Sequence, residues 1–260
     1  MKRCFFVLFV FFTLSSFSQS ATTNDIRPVV DPSEIVKDIM SWLYYQRDHL
    51  AWSTDYVTLD TSLHAISKSE FLECLTTGRY LPLKIKTSDA LCYQLYELGK
   101  SVDKDIVVAI KNMAKNELHY YKMEGLPLPD FNFIDLDSNV YNKETIKNKI
   151  VVLNCWFVRC IPCVAEMPSL NQLVKQFEKR KDILFVALAL DPADDIRKFL
   201  NKNIFKYAIV SDKEDYLSNK LKIIGYPTQL IINRQGVIVK VLESNKISEL
   251  IDVLTKEIKK

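Results

Sequence analysis

The sequence predicts an α/β protein, with a mixed, helix-covered sheet in the C-terminal part and a mainly helical N-terminal domain ahead of it. Three observations carry this. Beyond about residue 123, apolar runs of strand length alternate with helical segments, an order that implies parallel pairing through crossovers. The polar turn Asn233-Arg234-Gln235-Gly236 joins the last two apolar runs and implies a terminal antiparallel hairpin. Before residue 123, helix start and stop signals recur along the chain. The 260 residues, 48% hydrophobic and 26% charged, suit one or two domains with a buried core, which excludes disorder and a collagen-like fibre. All five glycines are isolated from one another, so neither GxGxxG nor GxxxxGK(S/T) can be written, and phosphate-cradling sites of those types are excluded. A net charge of +3 makes no case for nucleic acid.

The chain opens on Met1-Lys2-Arg3, an apolar run from Cys4 to Leu14, and small residues at Ser16 and Ser18. This is the layout of a secretory signal peptide over residues 1–18, cut after Ser18. The run is shorter than the about 20 residues that a membrane span needs, and Cys4 heads it rather than following it, unlike a lipid-attachment cysteine. A soluble protein of the periplasm or cell envelope is expected, with near-neutral charge and no stable membrane insertion.

Residues 25–122 form the mainly helical N-terminal domain, of unknown role. Asp31-Pro32-Ser33-Glu34 supplies an N-cap, a first-turn proline and an acid, and leads into Ile35, Ile39, Met40 and Leu43 at helical spacing. Ser67-Lys68-Ser69-Glu70 starts a helix closed by Gly78. Thr87 starts another, carrying Leu91, Leu95 and Leu98 and stopping at Gly99. The longest spans 103–122, with a stripe of Ile106, Val107, Ile110, Met113, Ala114, Leu118 and Tyr121. Short strands are expected at 56–59 and 80–87. Gly125-Leu126-Pro127-Leu128-Pro129 cannot be crossed by a helix, which sets a boundary near 123.

In residues 123–260, strands are expected at 131–135, 150–157, 183–190, 208–210, 228–232 and 237–242. Helices fall at 162–180, 192–202, 213–221 and from 246, and a turn lies at Asp137-Ser138-Asn139.

Five cysteines follow the leader: Cys74, Cys92, Cys155, Cys160 and Cys163. An odd count in an exported protein leaves at least one thiol unpaired or redox-active. Cys160-Ile161-Pro162-Cys163 lies where a buried strand gives way to a helix. There the unpaired N–H groups and positive end of the helix favour a thiolate, and Arg159 adds a cation. Cys160 is then the attacking thiolate and Cys163, three residues into the helix, the resolving thiol of a redox-active disulfide. A lone CxxC is also compatible with a zinc half-site or an inert bridge. Zinc would need two more ligands, and His49, His64 and His119 all precede residue 123. Cys155 reads as a small apolar core residue. Pairing of Cys74 with Cys92 stays open.

Val151-Val152-Leu153-Asn154-Cys155-Trp156-Phe157, the CxxC, Val164-Ala165-Glu166-Met167-Pro168 and Gly225-Tyr226-Pro227-Thr228 together resemble the TlpA/ResA-like branch of the thioredoxin superfamily, over residues 123–260. The resemblance implies a thioredoxin fold and an exported thiol-disulfide oxidoreductase that needs no cofactor or metal. It makes Pro227 a cis-proline whose loop faces the CxxC and docks substrate backbone; an X-Pro bond takes cis at modest cost. Trp156, Arg159 and Tyr226 join Pro227 as the substrate-binding set. Glu166 resembles the glutamate of the family's CxxCxxE pattern, a carboxylate able to exchange a proton with Cys163; a surface acid favoured by the helix dipole is the other reading. Two positions depart from thioredoxin itself: Asn154 stands where it has a buried aspartate, and Arg159 where it has tryptophan.

Ile161-Pro162 offers no histidine to stabilise the thiolate, so a reductase is expected in preference to an oxidase or isomerase. By analogy its electrons come through a membrane thiol-disulfide donor, and its substrates are cysteine-containing proteins such as apocytochrome c. The rivals are a copper-handling module, for which residues 123–260 lack a histidine, and a partner-binding protein with a thioredoxin-like platform. The PxxxTxxC context of a peroxidase is missing around Cys160.

Overall fold

The computed structural model describes residues 27–52, 54–88, 90–243 and 246–260. The expected signal peptide lies outside them. The N-terminal elements run β1 (Arg27–Pro28), α1 (Pro32–Ile35), α2 (Ile39–His49), β2 (Val57–Leu59), α3 (Lys68–Thr76), β3 (Tyr80–Lys86), β4 (Cys92–Glu97) and α4 (Lys104–Met123). Each helix starts on a side-chain cap: Asp31 accepts from the Ser33 N–H, Asp38 from Ser41, Ser67 from Glu70 and Asp103 from Asp105.

The helices hold more residues than the strands, yet the four strands form one sheet in the order β1-β3-β4-β2. The segment from Thr87 to Gly99, expected as a helix, is the strand β4. Its leucines fit a helical period, but pairing with β3 from Tyr80↔Glu97 to Ile85↔Cys92 overrides that local pattern. Tyr93 on this strand is fully buried; its hydroxyl donates to His49 O (3.0 Å) and accepts from the Ala51 N–H (2.8 Å). Cys74 and Cys92 are both free thiols, which answers the open pairing question.

Gly78 closes α3 with φ +74°, where a Cβ would stand 2.9 Å from Val107 Cγ1 and 2.7 Å from Lys111 Cδ. The Lys111 chain can move aside, but the β-branched Val107 is stiff. Gly78→Ala should therefore cost about 1–2 kcal/mol, from the left-handed backbone and the contact together. Urea unfolding midpoints measure this; an unchanged midpoint would show that the turn relaxes freely.

The C-terminal elements are β5 (Phe133–Ile134), β6 (Val140–Tyr141), β7 (Ile150–Trp156), α5 (Ile161–Gln176), β8 (Ile183–Ala189), α6 (Ala193–Leu200), β9 (Ala208–Val210), a π-helical turn (Tyr216–Lys220), β10 (Thr228–Ile232), β11 (Ile238–Glu243) and α7 (Ile247–Ile258). The main sheet has the order β11-β10-β7-β8-β9, with β7, β8 and β9 parallel and β10 antiparallel to both its neighbours. The expected 131–135 strand is shorter and pairs with β6. Between them the Asp135 carboxylate accepts from the backbone N–H of Asp137 and Asn139, the Asn139 amide and the Tyr141 hydroxyl. The helix expected at 213–221 is present in shorter form, with π-type winding over Tyr216–Lys220.

Both faces of this sheet are covered, so its central strands are mainly apolar on both faces rather than alternating, with Asn154, Thr228 and Gln229 as buried polar exceptions. One face carries Ile150, Val152, Ala187 and Ile231 under α5, α6 and α7. The other carries Val151, Leu153, Cys155, Leu188 and Leu230 under Tyr120 of α4, Phe133 and Tyr216. Helix α4 thus serves two cores: Ile106, Ile110, Met113 and Ala114 pack against the N-terminal sheet, and Tyr120 packs on the main one.

Candidate active site

Strand β7 ends at Trp156, and the loop 157–159 delivers Cys160 to the N-cap of α5. Two contacts from the end of β8 hold that loop. The Leu190 N–H donates to Trp156 O (3.1 Å), and the Asp191 carboxylate accepts from the Val158 N–H at 2.7 Å. Asp191 escaped sequence reasoning because one acid after a buried strand carries no pattern; its role exists only once β7 and β8 are neighbours.

Cys160 and Cys163 form a disulfide with Cα atoms 5.2 Å apart. Cys160 Sγ also accepts the Cys163 N–H at 3.2 Å, so the sulfur itself caps the helix. An anion at that point gains from the free N–H groups and from the aligned peptide dipoles. Both cysteines are buried in this state, Cys160 at 4% and Cys163 at 2% exposure, so the expected difference between them is small. The flanking Ile161 is 83% exposed, and Pro162 and Arg159 are exposed beside it.

The Tyr226–Pro227 bond is cis. Its loop meets the CxxC loop through Phe157 and Tyr226, whose rings lie edge to face at 5.7 Å. Trp156, assigned to substrate binding, is fully buried, with its ring packed on Phe199 (5.5 Å) and Phe205 (5.6 Å). It supports the loop from below and does not reach a substrate; the half-buried Phe157 is the aromatic at the rim. A strand alternates its side chains, so a pair of adjacent aromatics at its end must send one inward, which the sequence pattern alone left unassigned.

Glu166 lies one turn beyond Cys163 and is buried at 5% exposure, which sets aside its reading as a surface acid. Its carboxylate accepts from the Gln229 side-chain amide at 3.5 Å. Gln229, itself 3% exposed, sits in β10 opposite Asn154 of β7, so both amides face the layer beneath α5. Tyr207 belongs to the same layer; burial, reinforced by the charge of Glu166, pushes its phenol far up and keeps it protonated. Gln229 and Tyr207 were not anticipated, since a Gln in an apolar strand and a Tyr before one read as ordinary sheet residues. Burial likewise raises the Cys155 thiol well above the usual range, leaving it an inert core group.

A thiol placed on a helix N-cap, joined to a second thiol three residues on, with a carboxylate beneath and a cis-proline loop alongside, can exchange disulfides. Residues 125–241 match the model of the AhpC/TSA family. Thiol-disulfide oxidoreductase ResA of Bacillus thuringiensis is 29% identical over 139 residues, 53% of this chain and 80% of the relative. The C-terminal part of this chain is a thiol-disulfide oxidoreductase similar to ResA. Thioredoxin-like protein YneN of Bacillus subtilis is 29% identical over 117 residues, 44% of this chain and 68% of its own length. Among solved structures, a putative thiol:disulfide interchange protein DsbE from Chlorobium tepidum covers 52% of this chain and 94% of its own, at 23% identity and a TM-score of 0.45. Helix α4 and everything before it lie outside the segment that the family model matches.

Proposed function

We propose that this ResA-like oxidoreductase acts as a reductase of protein disulfides outside the cytoplasm. The Cys160 thiolate attacks one sulfur of a substrate cystine and expels the other as a thiolate, which takes up a proton. The Cys163 thiol then gives its proton to Glu166, and its sulfur attacks Cys160, releasing the second substrate thiol and leaving the Cys160–Cys163 disulfide. Pro227 and Tyr226 dock the substrate backbone beside Cys160, and Arg159 presents a cation on the exposed rim. Each turnover oxidises the pair by two electrons, so a membrane thiol-disulfide donor must reduce it again. Export by the signal peptide over residues 1–18 places the protein in the periplasm or cell envelope.

The observation that carries this reading is the disulfide closed on the N-cap of α5 beside the Tyr226–Pro227 loop. Equilibration with glutathione redox buffers tests its direction. A reductase stays largely oxidised in buffers that reduce a strong oxidant, with a potential toward the thioredoxin end of the range. A potential at the strongly oxidising end would make the protein an oxidase.

A further inference from the structure

The loop that carries Pro227 is held from outside the matched segment. His119 and Tyr120, on the last turns of α4, reach it at three points. His119 Nε2 lies 2.7 Å from Lys222 O, and because a carbonyl oxygen can only accept, this nitrogen carries the hydrogen. The Ile224 N–H donates to the Tyr120 hydroxyl at 3.2 Å. Tyr120 Oη also lies 3.4 Å from Thr228 Oγ1. Thr228 spends its own hydrogen on Gly225 O at 2.8 Å, so in that contact Tyr120 is the donor. The three points bracket the proline on both sides.

The loop needs such support. Lys222 enters it at φ +55°, a left-handed conformation that a residue with a Cβ adopts at a cost and keeps only when its surroundings impose it. Tyr120 is buried at 3% exposure on the main sheet, while the preceding turns of the same helix are locked into the N-terminal core. A rigid helix anchored in one core therefore presents two side chains to the backbone of a loop in the other.

We propose that His119 and Tyr120 are positioning residues for the substrate-docking loop, and that through them the N-terminal region sets how well a protein disulfide binds beside Cys160. This rests on the reading of the loop as the docking element for disulfide exchange. Neither side chain touches the sulfurs, so both act on docking and not on thiolate reactivity.

The experiment is steady-state reduction of insulin by the full chain, carried out with wild type, Tyr120→Phe, His119→Ala, the double variant, His119→Gln and Cys160→Ser. His119→Ala, which removes one neutral hydrogen bond, and Tyr120→Phe, which removes two longer ones, should each raise KM about threefold, and the double variant, which removes all three, about tenfold. The kcat and the pH profile of Cys160 alkylation should stay at wild-type values. His119→Gln, whose amide can still donate to Lys222 O, should recover KM. A wild-type KM in the double variant, with Cys160→Ser inactive, overturns the proposal alone; equal activity of wild type and Cys160→Ser removes the underlying reading instead. A fall in kcat, a shifted alkylation profile, or lowered thermal stability at unchanged KM would also overturn it. Amide exchange in the wild-type protein needs no variant: Ile224, whose acceptor is Tyr120, should be protected like the interior of α4, and exchange at the rate of an open loop would overturn the proposal.

Discussion

Cys160→Ser should lower insulin reduction to background, a loss of more than about 100-fold, because a serine hydroxyl is not ionised near neutral pH and cannot form a mixed disulfide. Cys163→Ser should behave differently. It keeps the attacking sulfur on the N-cap of α5 but removes the group that resolves it, so covalent adducts between enzyme and substrate accumulate and appear on non-reducing gels. The two variants separate attack from release, and the geometry assigns each step to one residue: Cys160 Sγ already accepts a helix N–H in the disulfide state. The same contact predicts that in the reduced protein Cys160 alkylates at pH values below the about 8.5 of a free cysteine. Alkylation of both thiols at the rate of an unstructured peptide would remove the helix N-terminus as the source of reactivity, and with it the assignment of roles.

The CxxC and its place between a strand and a helix were legible in the chain because each is a local signal: two sulfurs at fixed spacing and an apolar run that stops at them. The cis bond before Pro227 was expected only through the resemblance carried by Gly225-Tyr226-Pro227-Thr228, because an X-Pro bond by itself does not reveal its isomer. The strands of the main sheet were legible for the same reason as the CxxC, since short, wholly apolar runs such as Ile183–Ala189 fit a strand buried on both faces, while their order across the sheet came only with the structure. What stayed hidden depends on tertiary neighbours. Leu91, Leu95 and Leu98 share a helical period, yet the segment is a strand because β3 offers it a partner and Tyr93 finds two backbone groups for its hydroxyl. Trp156 and Phe157 are adjacent aromatics in the sequence, and only the sheet decides that the first is buried and the second meets Tyr226. Asp191, Gln229, His119 and Tyr120 act on groups between 33 and 108 residues away, a separation at which no motif can be read.

The contact between α4 and α7 should make stability fall as pH rises through neutrality. Glu117 of α4 keeps only 17% side-chain exposure, and Lys246, just ahead of α7, lies 4.0 Å from it. Burial pushes the Glu117 carboxyl up to about 7; Glu243 adds to the rise, while Lys246, Lys68 and Lys240 oppose it without cancelling it. A carboxyl whose folded pKa lies above its unfolded value binds its proton more tightly in the native state. Its contribution is therefore complete below about 4.5 and is lost as pH climbs through about 7. Lys68, whose ammonium lies over the rings of Tyr56 (4.6 Å) and Tyr121 (5.1 Å), is pushed by burial down to about 8, so its own relief comes between about 8 and 10.5 and does not mask the first change. Between pH 5 and pH 8, Glu117 alone should remove about 2–3 kcal/mol of unfolding free energy, since each tenfold difference in proton affinity between the folded and unfolded chain is worth about 1.36 kcal/mol and the carboxyl keeps some contact with water. Glu117→Gln cannot ionise, so urea unfolding of that variant should show a flatter dependence across the same window, with the gain over wild type appearing at pH 8 and not at pH 5. Equal slopes for the two proteins would mean that the carboxyl stays ionised at the contact. The Lys246 ammonium would then outweigh burial, and α4 would be held against α7 by an ion pair at every pH in that range.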